Sequence, residues 1–210
     1  AFGVRGYSKS FPPTNQRPEQ AMEPETTYLE RTIYYGDYDE LAAIISEDPS
    51  VVNYHFRTNL SLTPLMWACR NRRDSMVELL LDSGADINLV DAQDDNGQGG
   101  NTALWYTAQG SATGNVMIAK MLLDSGADID QRCEFNMTAL FVAASWLHLD
   151  LVQFLIERGA NFTSIDCHGM TIVDMLQADL ARISKQSHYS PDEQRYLEST
   201  PRIIRYFEKL

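Results

Sequence analysis

Residues 138–163, TALFVAASWLHLDLVQFLIERGANFT, decide the fold, because two further stretches of the chain follow the same pattern. These are TPLMWACRNRRDSMVELLLDSGADIN at 63–88 and TALWYTAQGSATGNVMIAKMLLDSGADID at 102–130. Each begins with threonine, runs through an apolar segment and closes around a Gly-Ala pair. A fourth opening, DCHGMTIVDML, contains Thr171, and an earlier stretch from Tyr28, YLERTIYYGDYDELAAIISEDPSVVN, keeps the pattern without the threonine. Self-similarity at a near-constant period indicates a repeat protein.

Each repeat has the pattern of two short helices joined by a turn. The threonine can cap the first helix through its hydroxyl, and Pro64 follows Thr63 in the first turn, where its fixed φ suits a helix. The second helices contain MVELLL, IAKMLL and LVQFLI, whose apolar residues form one face. A glycine (Gly84, Gly126 or Gly159) then supplies the left-handed residue that ends the helix. No unit can bury its apolar face alone, so stacking supplies the core.

The four threonines are 39, 36 and 33 residues apart, close to the roughly 33-residue period and T-P-L-H-x-A opening of ankyrin repeats. Over about residues 27–176 the chain resembles the ankyrin repeat family. The resemblance implies an all-α repeat solenoid, an ankyrin-like stack of helix-turn-helix units with β-hairpin loops. It also implies a concave surface, made of hairpin tips and first helices, at which the family binds other proteins.

The repeat frame predicts six segments. They are an extended N-terminal arm (1–26), an N-terminal capping repeat (27–56), an ankyrin repeat (57–90), an ankyrin repeat with an extended hairpin (91–130), an ankyrin repeat (131–163), and a degenerate repeat with a helical C-terminal cap (164–210). Within the cap, SPDEQRYLES and STPRIIRYFEKL predict two helices. Ser190 and Thr200 are the expected caps of these helices, with Pro191 and Pro201 at the first helical positions.

The charge of the chain excludes several classes of partner. The net charge is −12, and residues 28–180 carry 22 acidic side chains against 8 basic ones. Binding to phosphate backbones or anionic lipids depends on Lys and Arg, so we expect neither nucleic-acid nor membrane binding. No stretch approaches the roughly 18 apolar residues that span a bilayer. The chain is expected to be soluble, and the sequence leaves open whether it is cytoplasmic or exported.

The stretch 91–101, DAQDDNGQGGN, lengthens one hairpin. In a regular repeat, the last residue of one unit lies eight positions before the next threonine, as in Asp130–Thr138 and Thr163–Thr171. Asn88 instead lies fourteen positions before Thr102. Six residues are therefore inserted, at a loop-closure cost below about 0.6 kcal/mol. Insertions in repeat proteins map to one face, which is often the binding face.

The same stretch does not fit a calcium-binding EF-hand. Such a loop needs oxygen ligands at position 1 and a bidentate Glu at position 12, and this chain has Ala92 and Ala103 there when the first loop glycine is placed at position 6. Weak calcium binding of another kind, through Asp91, Asp94 and Asp95, stays open.

No residue pattern indicates catalysis, a metal site or a cofactor. Cys133, Cys167 and His168 would give three zinc ligands without a fourth. A disulfide between Cys133 and Cys167 would need a shorter separation than adjacent hairpins allow. Cys69 is expected in the core. His148 takes the position of a turn histidine in the family, so the resemblance implies that it hydrogen-bonds the turn.

The candidate binding surface combines three groups of residues. The hairpins carry apolar residues where solvated tips are normally polar, and clustered exposed apolar residues mark interaction sites. The first helices carry apolar residues where the ankyrin signature has histidine, and these belong either to the interface or to the core. Acidic residues of the inserted loop project from the same edge. The surface comprises Leu60, Leu62, Asp91, Asp94, Asp95, Trp105, Glu134, Phe135, Met137, Phe141, Trp146, His168 and Met170. Alternatively, the N-terminal arm covers its apolar hairpin residues.

The sequence predicts a non-catalytic protein that binds one other protein, such as an enzyme with a basic or cationic surface. Because no second domain is visible, we expect direct action on that partner, as an inhibitor, immunity protein or other regulator that sequesters or protects. The alternative is a secreted or host-directed effector or adaptor. An enzyme is a remote alternative, since nothing in the sequence indicates a pocket with perturbed titratable groups.

Overall fold

A computed structural model describes residues 28–56, 61–92, 99–110, 114–185 and 190–210. These ranges contain ten α-helices and two short 3₁₀ turns, Pro49–Asn53 and Glu134–Asn136. The helices are α1 (Tyr28–Tyr35), α2 (Tyr38–Glu47), α3 (Pro64–Arg70), α4 (Asp74–Asp82), α5 (Ala103–Ala108), α6 (Val116–Asp124), α7 (Ala139–Ser145), α8 (Leu149–Glu157), α9 (Ile172–Ile183) and α10 (Pro191–Phe207). The predicted arm, residues 1–26, lies outside the described residues.

The helices form two layers, as an all-α solenoid requires. The first helices of the repeats, α1, α3, α5, α7 and α9, pack against one another in chain order. The second helices, α2, α4, α6 and α8, do the same in the other layer, and α10 packs on α9. The apolar faces of both layers meet in one continuous core. Each repeat thus buries its apolar face on its neighbours, which confirms the predicted fold class.

Threonine begins each of four first helices. The hydroxyls of Thr63, Thr102 and Thr138 accept the amide N–H three residues on at 3.3 Å, and that of Thr171 does so at 3.2 Å. The first three threonines are buried, where an amide without a partner would cost about 1–3 kcal/mol. The predicted caps are confirmed, and burial of the first three threonines explains why those repeats need a side-chain cap.

Glycine ends three of the second helices. Gly84, Gly126 and Gly159 have φ values of 84°, 96° and 93°. The amide of each glycine and that of the following alanine donate back to carbonyls of the last helical turn, as Gly159 does to Ile156 and Ala160 does to Leu155. This is the Schellman arrangement, in which a left-handed residue satisfies the free carbonyls of a helix end. The Gly-Ala pair of the repeat is this motif.

A ladder of side-chain hydrogen bonds joins successive repeats. Asn53 Oδ1 accepts the Asp86 amide at 2.8 Å, and Asn88 Oδ1 accepts the Asp128 amide at 3.2 Å. Asp130 Oδ1 accepts the Asn161 amide at 2.8 Å. Each bond links a residue at the end of one repeat to the residue that follows the Gly-Ala pair of the next repeat. The ladder therefore fixes the register of the stack.

The C-terminal cap differs from the prediction at its second helix. Ser190 begins a helix as expected, since its hydroxyl accepts the Glu193 amide at 3.3 Å. However, Thr200 does not begin another, because α10 continues through Pro201 to Phe207. The proline removes one backbone donor, but the Thr200 hydroxyl turns back to the Tyr196 carbonyl at 2.6 Å. Burial of the apolar residues that follow keeps the helix continuous.

Candidate functional site

Four loops precede the first helices α3, α5, α7 and α9, and together they form what we call the loop edge. One backbone hydrogen bond closes each loop: Phe56 N–H to the Leu62 carbonyl, Asp91 to Asn101, Cys133 to Met137 and Asp166 to Met170, at 2.9–3.0 Å. Within the described residues, β-bridge geometry occurs only at Ile165 and Thr171. Counted between these closing hydrogen bonds, the Asp91–Asn101 loop is six residues longer than the last two loops.

Asp91 does not project from this edge, contrary to the prediction, but lies buried at the base of the inserted loop, where it is only 3% exposed. Its Oδ1 accepts the Asn101 amide at 2.8 Å, and its Oδ2 accepts the Asn101 side-chain amide at 3.1 Å. The Tyr106 hydroxyl also donates to Oδ2. Both carboxylate oxygens are therefore engaged in closing the loop. Asp94 and Asp95 lie outside the described residues.

Arg70 completes what we call the loop-base cluster, formed by Arg70, Asp91, Asn101 and Tyr106. Its guanidinium carbon lies 5.8 Å from the centre of the Tyr106 ring and 5.7 Å from that of Trp67. Burial and the negative charge of Asp91 raise the pKa of the Tyr106 hydroxyl, so this group stays a neutral donor. The cluster thus pairs a buried carboxylate with a hydroxyl, an amide and a nearby cation.

The loop-base cluster also reaches the next loop. Asn101 Oδ1 accepts the Glu134 amide at 3.1 Å, which joins the inserted loop to the loop before α7. That loop in turn contacts the last one, because the Phe135 carbonyl accepts the Cys167 amide at 2.8 Å. Arg132 Nη1 adds bonds to the carbonyls of Asn136 and Ile165, at 3.0 and 2.8 Å. Three neighbouring loops are therefore held by direct hydrogen bonds.

Four apolar residues of the candidate binding surface are core residues instead. Trp105 and Phe141 are 2% and 0% exposed, and Leu62 and Met137 are also buried. All four belong to the continuous core. The expectation that Leu62 and Met137 present an exposed interface is therefore wrong, and of the two alternatives for Trp105 and Phe141 the structure has the core. Burying an apolar side chain of this size stabilises a protein by about 1.5–3 kcal/mol, which outweighs leaving it in water. The indole N–H of Trp105 has no partner among the described residues.

The remaining predicted residues lie nearer the surface. Glu134, Phe135, Trp146 and Met170 are half-buried. Phe135 adopts a left-handed conformation with φ of 53° while packing against the core. The His168 side chain is 61% exposed and lies 3.5 Å from Asp166 and 3.3 Å from the Cys167 thiol. Leu60 lies outside the described residues.

Trp67 is a surface residue that the sequence analysis missed. It is half-buried on α3, and its indole N–H donates to the Glu30 carbonyl at 3.1 Å. Trp67 and Arg70 are three residues apart, which places them on one face of the helix. That spacing is visible in the sequence, but the ankyrin signature singles out the neighbouring position, Met66, and not Trp67. Met66 is buried.

The described residues offer little chemistry of their own. They contain no group of three His, Cys, Asp or Glu side chains able to hold a metal ion. Burial raises the pKa of the Cys69 and Cys133 thiols, which disfavours the thiolate. Cys69 is in the core as predicted. His148 has the predicted turn role, with Nε2 lying 2.9 Å from the Gly110 carbonyl.

Family models for ankyrin repeats match two adjoining parts of the chain. A model of three repeat copies matches residues 89–166, and a single-repeat model matches residues 61–92. Together they cover residues 61–166, just over half of the 210 residues. In the parts that the structure describes, no helix is both long and apolar enough to cross a bilayer.

Curated relatives are similar to parts of the chain. The mouse "Ankyrin repeat, SAM and basic leucine zipper domain-containing protein 1" is 40% identical over 74 residues, 35% of this chain and 15% of the relative. The Caenorhabditis elegans "Ankyrin repeat and KH domain-containing protein mask-1" is 33% identical over 109 residues, 52% of this chain and 4% of the relative. The rat "Ankyrin repeat and SAM domain-containing protein 6" is 32% identical over 128 residues, 61% of this chain and 13% of the relative. The chain thus matches only a small part of each relative's length.

Proposed function

The chain belongs to the ankyrin repeat family, and from that premise we propose that it is a non-catalytic module that binds one partner protein through its loop edge. The ankyrin repeat is a protein-interaction module, and the relatives' names describe no enzyme. The finer proposal is that this chain inhibits or protects its partner by covering a site on it.

The inserted loop is the observation that carries this proposal. Its base is fixed by Asp91, whose two oxygens accept three hydrogen bonds from buried or backbone donors. Fixing a loop before association reduces the ordering cost of binding. A six-residue insertion whose base is held by three hydrogen bonds is therefore more consistent with a recognition loop than with an insertion that has no function.

The charge of the chain favours a basic partner. The inserted loop carries Asp94 and Asp95 in a protein with a net charge of −12. Acidic surfaces accelerate association with cationic partners and fix the register of the complex. We therefore assign to the partner a basic surface or a cationic pocket, as in an enzyme that acts on anionic substrates.

Inhibition by direct contact is the simplest action for such a module. The half-buried Phe135 and Met170, in the loops before α7 and α9, supply apolar contact area, and Phe135 adds an aromatic ring, a kind of side chain that is enriched among the energetic centres of interfaces. A partner held across these residues would have the covered surface blocked. The second candidate is an adaptor role, favoured by the relatives, whose names combine ankyrin repeats with SAM or KH domains.

A charge-neutral variant tests the proposed partner chemistry. Asp94→Asn with Asp95→Asn is expected to weaken partner binding by about tenfold at low salt and to flatten its salt dependence, because two charges leave the contact. Asp82→Asn with Glu157→Gln is the matched control, since both residues are exposed at the ends of second helices. Affinity is measured against the captured partner at several salt concentrations. Equal loss in both variants, or none in either, would contradict the proposal.

Enzyme assays of the captured partner then separate the two roles. Inhibition predicts that one equivalent of the chain abolishes the partner's activity. An adaptor predicts that activity is retained and that a third protein is recovered with the pair.

A further inference from the structure

Three Asn-X-Ser/Thr triplets occur in the chain, and none has proline in the middle. They are Asn59-Leu60-Ser61, Asn136-Met137-Thr138 and Asn161-Phe162-Thr163. This pattern is the acceptor for N-linked glycosylation where it lies on an exposed segment of an exported protein. Asn59 and Leu60 lie outside the described residues. The structure separates the other two triplets by their exposure and by the hydrogen bonds of the acceptor amide.

Asn161 lies in the turn that follows α8, and all three residues of its triplet are exposed. Its Oδ1 accepts the Thr163 amide at 2.9 Å and the Thr163 hydroxyl at 2.8 Å. A backbone N–H can only donate, so this contact identifies Oδ1 as the carbonyl oxygen and leaves Nδ2 as the other atom. In the part of the chain that the structure describes, Nδ2 forms no hydrogen bond. The acceptor nitrogen is therefore available, and the hydroxyl two residues further on already holds the side chain.

Asn136 is exposed as well, but its triplet is tied into the stack. Its Nδ2 donates to the Ile165 carbonyl at 3.0 Å, so a glycan on this nitrogen would displace a hydrogen bond to the next repeat. Thr138 is 1% exposed, and its hydroxyl accepts the Phe141 amide at the start of α7. The hydroxyl is thus committed to a helix cap and lies within the core. The folded chain offers Asn161, and not Asn136, as an acceptor.

The backbone at Asn161 is held independently of its side chain. Its amide N–H donates to Asp130 Oδ1 at 2.8 Å, as one step of the ladder between repeats. The side-chain hydrogen bonds of Asn161 stay within the triplet and use Oδ1 alone. Substitution on Nδ2 therefore leaves both the ladder and the contacts with Thr163 in place.

The same turn carries apolar surface that a glycan would cover. Phe162 and Ile165 are 37% and 44% exposed. Exposed apolar side chains close together favour unwanted association, and a bulky hydrophilic group beside them makes the surface more soluble. A glycan on Asn161 would therefore have a physical benefit at this position.

We propose that Asn161 carries an N-linked glycan. In the transfer, Nδ2 forms a bond to the anomeric carbon of a lipid-linked oligosaccharide pyrophosphate, and the bond between that carbon and the pyrophosphate oxygen breaks. The amide loses one proton to a base of the transferring enzyme, and the lipid pyrophosphate leaves. The Thr163 hydroxyl positions the acceptor amide through Oδ1. The assignment implies export to a compartment that contains this donor, and it does not depend on the proposed partner.

Mass spectrometry of the full-length protein purified from its native organism tests the proposal. The wild type is expected to exceed the mass of its polypeptide by the mass of a glycan. Peptide N-glycosidase should remove this excess and convert Asn161 to aspartate, which peptide mapping then locates. An unmodified Asn161, or a glycan found only at Asn59 or Asn136, would overturn the proposal.

Variants produced in the same organism test the role of the triplet. Asn161→Gln removes the acceptor and Thr163→Ala removes the positioning hydroxyl, so both should lose the glycan at residue 161. Thr163→Ser keeps a hydroxyl and should keep the glycan. Asn136→Gln is the matched control, which should keep the wild-type occupancy of Asn161. Circular dichroism confirms that each variant is folded. A glycan retained by Thr163→Ala, or lost from Asn161 in Asn136→Gln, contradicts the assignment.

Discussion

Asp91 shows how one buried carboxylate can organise a surface loop. Asp91→Ala is expected to reduce the free energy of unfolding by about 2–4 kcal/mol, because it leaves the buried Asn101 and Tyr106 donors without an acceptor. Tyr106→Phe removes one donor and leaves the two bonds from Asn101, so a loss of about 1 kcal/mol is expected. Urea unfolding curves measure both values. A cost for Asp91→Ala below that of Tyr106→Phe would show that Asp91 does not anchor the loop.

The turn histidine gives stability a pH dependence of known sign. The pKa of His148 falls from 6.5 to about 4 on folding, so below pH 6.5 the unfolded chain binds a proton that the folded protein does not. This contribution to stability is complete above pH 6.5 and declines as the pH falls toward 4. Between pH 7.5 and 5.5 the wild type should lose about 1.3 kcal/mol through this group.

His148→Gln removes that contribution. The stability advantage of the wild type over His148→Gln should therefore shrink by the same amount between the two pH values, as measured by urea unfolding. A difference that does not change with pH would contradict the burial of a neutral imidazole.

The residue scale is also where the sequence was least informative. Leu62 and Met137 occupy loop positions that vary among repeats, and periodicity cannot tell a solvent-facing loop residue from one folded back into the core. The sequence predicts an exposed Asp91 because its buried hydrogen-bond partners, Asn101 and Tyr106, are ten and fifteen residues further along the chain. Only the folded loop brings these residues within hydrogen-bond distance.

At the scale of a helix, the glycine that ends α4, α6 or α8 is required by its backbone conformation alone. Gly159 has φ of 93°, and a Cβ added there would meet nothing within 4 Å. Gly159→Ala is expected to reduce the free energy of unfolding by about 1 kcal/mol, because alanine disfavours the left-handed region. Glu157→Ala, an exposed change in the same helix, should stay within about 0.5 kcal/mol of wild type. Thermal unfolding measures both, and an unchanged Gly159→Ala variant would refute the conformational argument.

The helical elements were largely predictable from the sequence. Threonine caps, closing glycines and the six-residue insertion follow from local chemistry repeated at a near-constant period, so each copy supports the others. The exception, α10, occurs once and has no copy to support it. There Thr200 and Pro201 carry the signature of a helix start, but burial of Ile203, Ile204 and Phe207 overrides it. Tertiary packing decided between two conformations that the local sequence permits.

At the scale of the whole molecule, the repeat stack turns separate loops into one surface. The ladder from Asn53 to Asn161 fixes the register of the repeats, and the bonds among the last three loops fix the loop edge. The sequence could predict which edge would carry the loops. It could not predict which of their side chains would remain available to a partner, because this depends on contacts between neighbouring repeats.

The central claim is that the loop edge binds a partner protein, and affinity capture from the native organism tests it most directly. The wild type is compared with Phe135→Ala, Met170→Ala, a double variant that removes two half-buried side chains of the loop edge. A second-helix variant, Met117→Ala, serves as the control, since Met117 is exposed on α6. Circular dichroism first confirms that all three proteins are folded. We predict that the wild type and Met117→Ala recover the same protein and that the double variant recovers at least about tenfold less of it. Recovery in equal yield by all three would contradict the claim.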